Sequence, residues 1–251
     1  MDAARIGQRV WLHRTAWKRA LGTAAQYTVT PEQRAVVLPD GADLQLGATL
    51  GVPALTAHRA VFGFGPVQGR TVLVTGGAGA VGFYAIQLAR WGGARVLATA
   101  SGAAKIAKAA SAGAQAVIDY RTEDVAARVL ELTQGAGVDH IAEVDFGANL
   151  PASLKMLKPH GSIASYASMG NPNPALPFYA IMARNLRIMF VALYDLPQAV
   201  QDEASAALTR WLQHGGTAMP MPLHSFALDQ IAAAHEMVES GASGRVLLRL
   251  D

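Results

Sequence analysis

The stretch TVLVTGGAGAVGFYAIQLARWGGARVLATAS, residues 71–101, decides the fold. Residues 71–75 and 95–99 are short apolar runs of strand type, and between them Phe83, Ile86 and Leu88 lie close to one helix face. Strand, glycine-rich turn, helix and strand within about 30 residues make a βαβ unit, whose two strands run parallel.

The turn, Gly77-Ala78-Gly79-Ala80-Val81-Gly82, is a G-x-G-x-x-G that follows the first strand directly and opens the helix. One glycine permits the tight turn, one lets the main chain approach a pyrophosphate, and one lets helix and strand pack closely. Free N–H groups and the positive end of the helix dipole favour the anion. An ordinary glycine-rich turn needs none of this context, so the arrangement predicts nucleotide binding through residues 77–82. The second strand then bears on which nucleotide. An NAD site carries Asp or Glu about 20 residues further on, for the ribose 2′-hydroxyl. Here that position reads Ala98-Thr99-Ala100-Ser101, with no acid. A 2′-phosphate is repelled by a carboxylate and held by hydroxyls and cations. Ser101, Lys105 one helical turn later, and Tyr120 with Arg121 after the next strand supply such groups, which favours NADPH. The plainer roles are solvent exposure for Lys105 and packing for Tyr120. Asp119 is the one acid nearby, and its place on the third strand makes it a poor substitute for the missing ribose ligand.

The alternation continues outward. Apolar runs at 116–118, 140–144, 162–166 and 186–191 are separated by helical segments, the pattern of a parallel sheet covered on both faces. The expected class is α/β, a Rossmann-type doubly wound parallel sheet. Before residue 65 the pattern is shorter and broken, with strands expected at 9–11, 25–29 and 35–38 and a helix through 44–60. Three short strands cannot easily bury a core by themselves. Amphipathic helices at 198–212 and 228–238 and a strand at 244–250 follow the sheet. The expected division is a partial β domain with its connecting helix over 1–64, a nucleotide domain over 65–215, and a return segment over 216–251.

Composition narrows the function. Of 251 residues 51% are hydrophobic and 16% charged, which is globular, and no apolar run approaches the ~20 residues of a membrane helix. The opening MDAARIGQRVW lacks a signal-peptide core, so a cytoplasmic protein is expected. The net charge of +3 is spread over scattered Lys and Arg, which disfavours nucleic acid as a partner. The absence of cysteine removes disulfides, thiol chemistry and cysteine-ligated zinc. The seven histidines are dispersed, and the His235-Glu236 pair lacks the second histidine of H-E-x-x-H, so no metal site is expected and His235 reads as structural. Ser162, Ser165 and Ser168 do not form a G-x-S-x-G elbow.

In order, GQRVW, AQYTV, ATLGVPALTAHRAVF, VLVTGGAGAVGFYAIQLAR, AGAQAVIDYRTED, GVDHIAEVDFG and AAAHEMVESGASGRVLL resemble the zeta-crystallin-like quinone oxidoreductases, the zinc-free branch of the medium-chain dehydrogenase/reductase superfamily. The resemblance implies NADPH in a cleft between a GroES-like domain and the nucleotide domain, and metal-free hydride transfer to a small quinone or enone. It implies that residues 1–64 are a remnant of the GroES-like β domain, whose first part falls outside a truncated chain. Thr56 matches a family position near the nicotinamide, where its hydroxyl would orient the carboxamide; a backbone hydrogen bond within its helix is the alternative. Residues 166–169 and 190–193 end later strands, where an open α/β sheet presents its crevice. Backbone contacts around Ser168, with Phe190 or Leu193 lining the cleft, are expected there. Ala80 stands where the family usually carries glycine. The apolar run from Asn185 to Tyr194 lies near a sheet edge and is expected to pair with its mate in a homodimer. No single catalytic residue is assigned. Two other functions stay open: enoyl-thioester reduction with the same cofactor, and a non-enzymatic nucleotide- or RNA-binding protein.

Overall fold

Apolar runs separated by helices can bury themselves only as a layered parallel sheet, and that is what residues 53–196 build. The computed structural model describes residues 3–217, 223–241 and 244–250; the expected 1–64 and 216–251 segments therefore lie partly outside the described residues. Chain contacts divide the molecule into two units, Met1–Val52 with Pro197–Asp251, and Pro53–Leu196. These boundaries differ from the expected 64/65 and 215/216. The helix α1, Leu44–Phe62, is broken at Gly51, which has φ 1° and ψ −116°, and Pro53 stands just beyond the break. Glycine tolerates that backbone and proline suits a first helical turn, so the boundary falls inside a segment that reads as one helix.

The larger unit carries β3 (Thr71–Val74), α2 (Ala80–Trp91), β4 (Arg95–Ala100), α3 (Ala103–Ser111), β5 (Ala116–Asp119), α4 (Val125–Leu132), β6 (Val138–Glu143), α5 (Phe146–Met156), β7 (Leu157–Ser165), α6 (Phe178–Ala183) and β8 (Arg187–Phe190). The six strands are all parallel, in the order β5-β4-β3-β6-β7-β8. That is the doubly wound order with its reversal between β3 and β6. Leu73 pairs in register with Leu97 and Ile141, and Ile141 with Ile163. All four are fully buried, in one core with Ile118, Val129, Phe146 and Leu150. Each such side chain contributes about 1.5–3 kcal/mol relative to an exposed one. β8 ends the sheet, so the expected edge position of the run from Asn185 to Tyr194 holds, with Arg187–Phe190 as its strand.

His140 is the one ring inside this apolar layer's β6. Its Nε2 lies 2.7 Å from Ala60 O and its Nδ1 2.8 Å from Ser162 Oγ. A carbonyl only accepts, so Nε2 carries the proton and Nδ1 accepts from Ser162. Burial is the main cause that pushes its pKa down to about 4; the bond to Ala60 opposes this, and Arg70 and Arg187 add to the lowering. The unfolded chain therefore binds a proton first. Stability is expected to fall as pH drops from 6.5 toward 4, by about 3 kcal/mol in full. Urea midpoints across that window, compared with His140→Leu, check this; the variant should be less stable at neutral pH but lose less on acidification.

The smaller unit has β1 (Val10–Leu12) antiparallel to β2 (Ala35–Val37), then α7 (Gln198–Gln213), β9 (Leu223–Ala227), α8 (Ile231–Glu239) and β10 (Arg245–Arg249). β9 and β10 pair in parallel, joined through α8. The strand expected at 25–29 does not form: Tyr27 and Val29 are exposed, with no neighbouring strand to pair them. β9 was not anticipated. His235 is exposed on α8.

Candidate functional site

The C-terminal ends of β3 and β6 flank the reversal of strand order, where an open α/β sheet offers its ligand crevice. The chain leaves β3 at Thr75 and enters α2 at Ala80. Gly76 has a left-handed φ of 63°, and a Cβ there would stand 2.9 Å from Val144 Cγ1, so only glycine fits. Gly76 N donates to Thr99 Oγ1 at 3.1 Å and Gly77 N to Thr99 O at 2.8 Å, fastening the turn to β4. Gly79 is the N-cap of α2 and offers no side chain to it. Phe83 N is the first amide with a helical acceptor, Gly79 O at 2.9 Å. The amides of Ala80, Val81 and Gly82 are therefore the open donors of the helix start. The glycines divide the work differently from expectation. The tight-turn role belongs to Gly76, one residue ahead of the motif. Gly77 faces the Ile86, Ala98 and Ala109 side chains, and Gly82 lies against the main chain of Gly76 and Gly77. Ala78, Ala80 and Val81 are half-buried around the turn.

The end of β4 meets the end of β5 beside it. Tyr120 N donates to Ala100 O at 3.2 Å, and Gly102 N to Asp119 Oδ2 at 3.1 Å. Ser101 is buried, Lys105 is exposed in the first turn of α3, and Tyr120 is half exposed. These three expected residues thus share one corner of the sheet, joined to the glycine turn through Thr99.

Sequence reading missed the acid in this crevice. Glu143, the last residue of β6, is 1% exposed. Its Oε1 accepts from Asp145 N at 2.6 Å, Asn149 Nδ2 at 2.7 Å and Thr75 Oγ1 at 2.8 Å. Thr75 Oγ1 in turn accepts from Val144 N at 2.9 Å. The carboxyl thus holds Val144 against Gly76. Glu143 Oε2 and the Tyr166 hydroxyl are both buried and have no hydrogen-bond partner among the described residues. Burial raises the Glu143 pKa, against the pull of its three donors, and burial, with the Glu143 charge, raises that of Tyr166. An acid inside the apolar run HIAEV was the available signal.

The remaining expected residues are more dispersed. Ser168 Oγ accepts from Gly147 N at 2.9 Å and donates to Asn171 O at 2.6 Å, tying the loop after β7 to the start of α5. Phe190 is 65% exposed, its ring edge-on to Phe146 with centroids 5.1 Å apart. Leu193 is buried in the turn after β8, and Thr56 is buried in the second half of α1.

A family profile for zinc-binding dehydrogenases matches residues 80–211, more than half of the chain. A human quinone oxidoreductase is 29% identical over 99% of this chain and 74% of its own length. Among solved structures, AibC is 32% identical with a TM-score of 0.76, over 91% of this chain and 67% of its own. A mycobacterial protein in complex with NADPH is 29% identical with a TM-score of 0.73, over 90% and 71%. The family name implies zinc, and the donor set does not fit it: the sequence has no cysteine, and among the described residues no three His, Asp or Glu side chains gather around a common point. Strand order, glycine turn and these likenesses agree, and the chain belongs to the zinc-binding dehydrogenase family, as an oxidoreductase of its zeta-crystallin-like, quinone oxidoreductase group.

Proposed function

We propose that this chain binds NADPH along the C-terminal edge of the β3–β8 sheet and serves the reduction of quinones or related conjugated carbonyls without a metal. The observation that carries the reading is the glycine turn at the start of α2, where no side chain caps the helix and the amides of Ala80, Val81 and Gly82 precede its first hydrogen bond, Phe83 N to Gly79 O. The amides of Ala80, Val81 and Gly82 would hold the pyrophosphate. Ser101 and Lys105 would bind the 2′-phosphate, with Tyr120 beside them. Thr56 would orient the nicotinamide amide, and the strand ends at Ser168, Phe190 and Leu193 would border the nicotinamide end. NADPH, when bound, supplies the hydride; the chain's own part is to bind, orient and exclude water. A quinone needs no dedicated acid, since its reduced oxygens take protons from water.

The reading extends to a homodimer through β8, supported by its edge position and by the exposed Phe190 at its end. It extends also to a cytoplasmic setting, with which a cysteine-free chain is compatible; no helix among the described residues is long and apolar enough to cross a membrane. Titration with NADPH and with NADH, followed by nicotinamide fluorescence, tests the reading, and NADPH is expected to bind more tightly. Lys105→Ala is expected to weaken NADPH about tenfold and leave NADH unchanged, since it removes one charge partner of the extra phosphate. Binding of neither nucleotide by the wild-type chain would remove the basis of the proposal.

A further inference from the structure

The missing acid at the end of β4 has a counterpart on the neighbouring strand. Asp119 ends β5 and pairs in register with Ala100, so its carboxylate comes up beside the Ser101–Gly102 turn. Its Oδ2 accepts from Gly102 N at 3.1 Å and its Oδ1 from Arg121 N at 3.1 Å. Its own N–H donates to Glu123 Oε1 at 2.8 Å. The side chain is therefore pinned at both oxygens and cannot swing away from the turn. Among the described ion pairs none involves Asp119, while Glu123 adds a second acid that pairs with Arg128 on its far side. Two carboxylates, Asp119 and Glu123, thus stand at the corner that carries Ser101 and Gly102.

We infer that Asp119 is a specificity-determining residue that weakens the hold on a 2′-phosphate, so that this chain accepts NADH alongside NADPH. The inference rests on the dinucleotide reading above and sharpens its selectivity. A 2′-phosphate brings close to two negative charges to the corner, and the fixed carboxylate repels them. A ribose 2′-hydroxyl brings none. The two main-chain bonds keep Asp119 in place whichever nucleotide arrives, so the repulsion is not relieved by rearrangement. Sequence reading named Asp119 and set it aside for its place on the third strand; the bond to Gly102 N is what brings it to the turn.

Asp119→Asn keeps an acceptor for Gly102 N and removes the charge; Asp119→Ser is a second, shorter neutral acceptor should the first fold poorly. Dissociation constants for NADPH and NADH are measured for all three proteins at low and high salt. The expected result is about tenfold tighter NADPH in the neutral variants, NADH within twofold of wild type, and a gap that narrows with salt. Equal weakening of both nucleotides overturns the inference and leaves Asp119 a brace of the turn. Unchanged binding of both overturns it as well. A wild-type chain that binds neither nucleotide fails the parent reading itself, a different outcome from either of these.

Discussion

Gly82→Ala is expected to cost about 3 kcal/mol of folding stability and to abolish dinucleotide binding. A Cβ at residue 82 would overlap Gly76 O and stand 2.9 Å from both Gly76 C and Gly77 Cα. All three obstacles are main chain, so no rotamer change relieves them, and overpacking of this kind costs about 1–3 kcal/mol or more. For a chain of this size that corresponds to a fall in Tm of ~10 °C. The same displacement moves Gly76 and the amides of α2 that define the turn. Gly79→Ala is the companion measurement. Its Cβ would stand 3.2 Å from the same oxygen, a contact that a small shift accommodates, so its cost is expected to stay below about 1 kcal/mol. Thermal unfolding and nucleotide titration of the two variants should separate them. Equal stability and equal binding would remove the close-approach account of Gly82.

Glu143→Ala is expected to destabilise by about 4 kcal/mol, because it takes one acceptor from three donors at once, Thr75 buried and Asp145 and Asn149 partly buried, and each orphaned donor costs about 1–3 kcal/mol. Glu143→Gln keeps an acceptor oxygen and should behave differently with pH. Burial raises the carboxyl's pKa from 4.5 in the fold, outweighing its bonds to Asp145, Asn149 and Thr75. A raised pKa means that the folded chain favours the neutral acid. Below pH 4.5 the group is neutral in both states and costs nothing by ionisation. As pH climbs from 4.5 through the folded value, ionisation favours the unfolded chain. The Gln variant lacks that titration and is expected to gain on wild type from pH 4.5 until the folded value is passed, and to hold a constant lead above it, as urea midpoints would record. A difference that is constant from pH 4.5 upward would mean that Glu143 is ionised in the fold as readily as in water.

What could be read before the structure was whatever repeats along the chain. Five of the six strands of the large sheet close on a hydroxyl or an acid, at Thr75, Ser101, Asp119, Glu143 and Ser165, and the turn at 77–82 announces itself by spacing. The left-handed residue could not be separated from its neighbour, because the Gly76-Gly77 doublet offers two candidates and only the position of Val144 chooses between them. Glu143 was passed over because a strand pattern treats one acid among apolar residues as an interruption, whereas its three donors come from Thr75, Asp145 and Asn149. β9 was missed because LHSFA has little alternation and depends on β10 for its pairing. Conversely, the run at 25–29 alternates well, but alternation without a partner leaves Tyr27 and Val29 in solvent. The unit boundary at Val52–Pro53 escaped notice because a glycine break inside an apolar helix leaves the helical pattern intact on both sides.

The glycine turn looks local, five residues (75–79) between a strand and a helix, yet its anchors lie far along the chain. Thr99 stands 23 residues from Gly76 and holds its amide, and Val144 stands 69 residues from Thr75 and is held by its hydroxyl. Closing loops of those lengths carries an entropy cost that the turn alone cannot offset. The turn therefore takes shape only once β4 and β6 have docked on either side of β3. Assembly of the phosphate-binding surface is expected to follow the docking of β4 and β6, an order that pulse-labelled hydrogen exchange at the Gly76 and Gly77 amides would check.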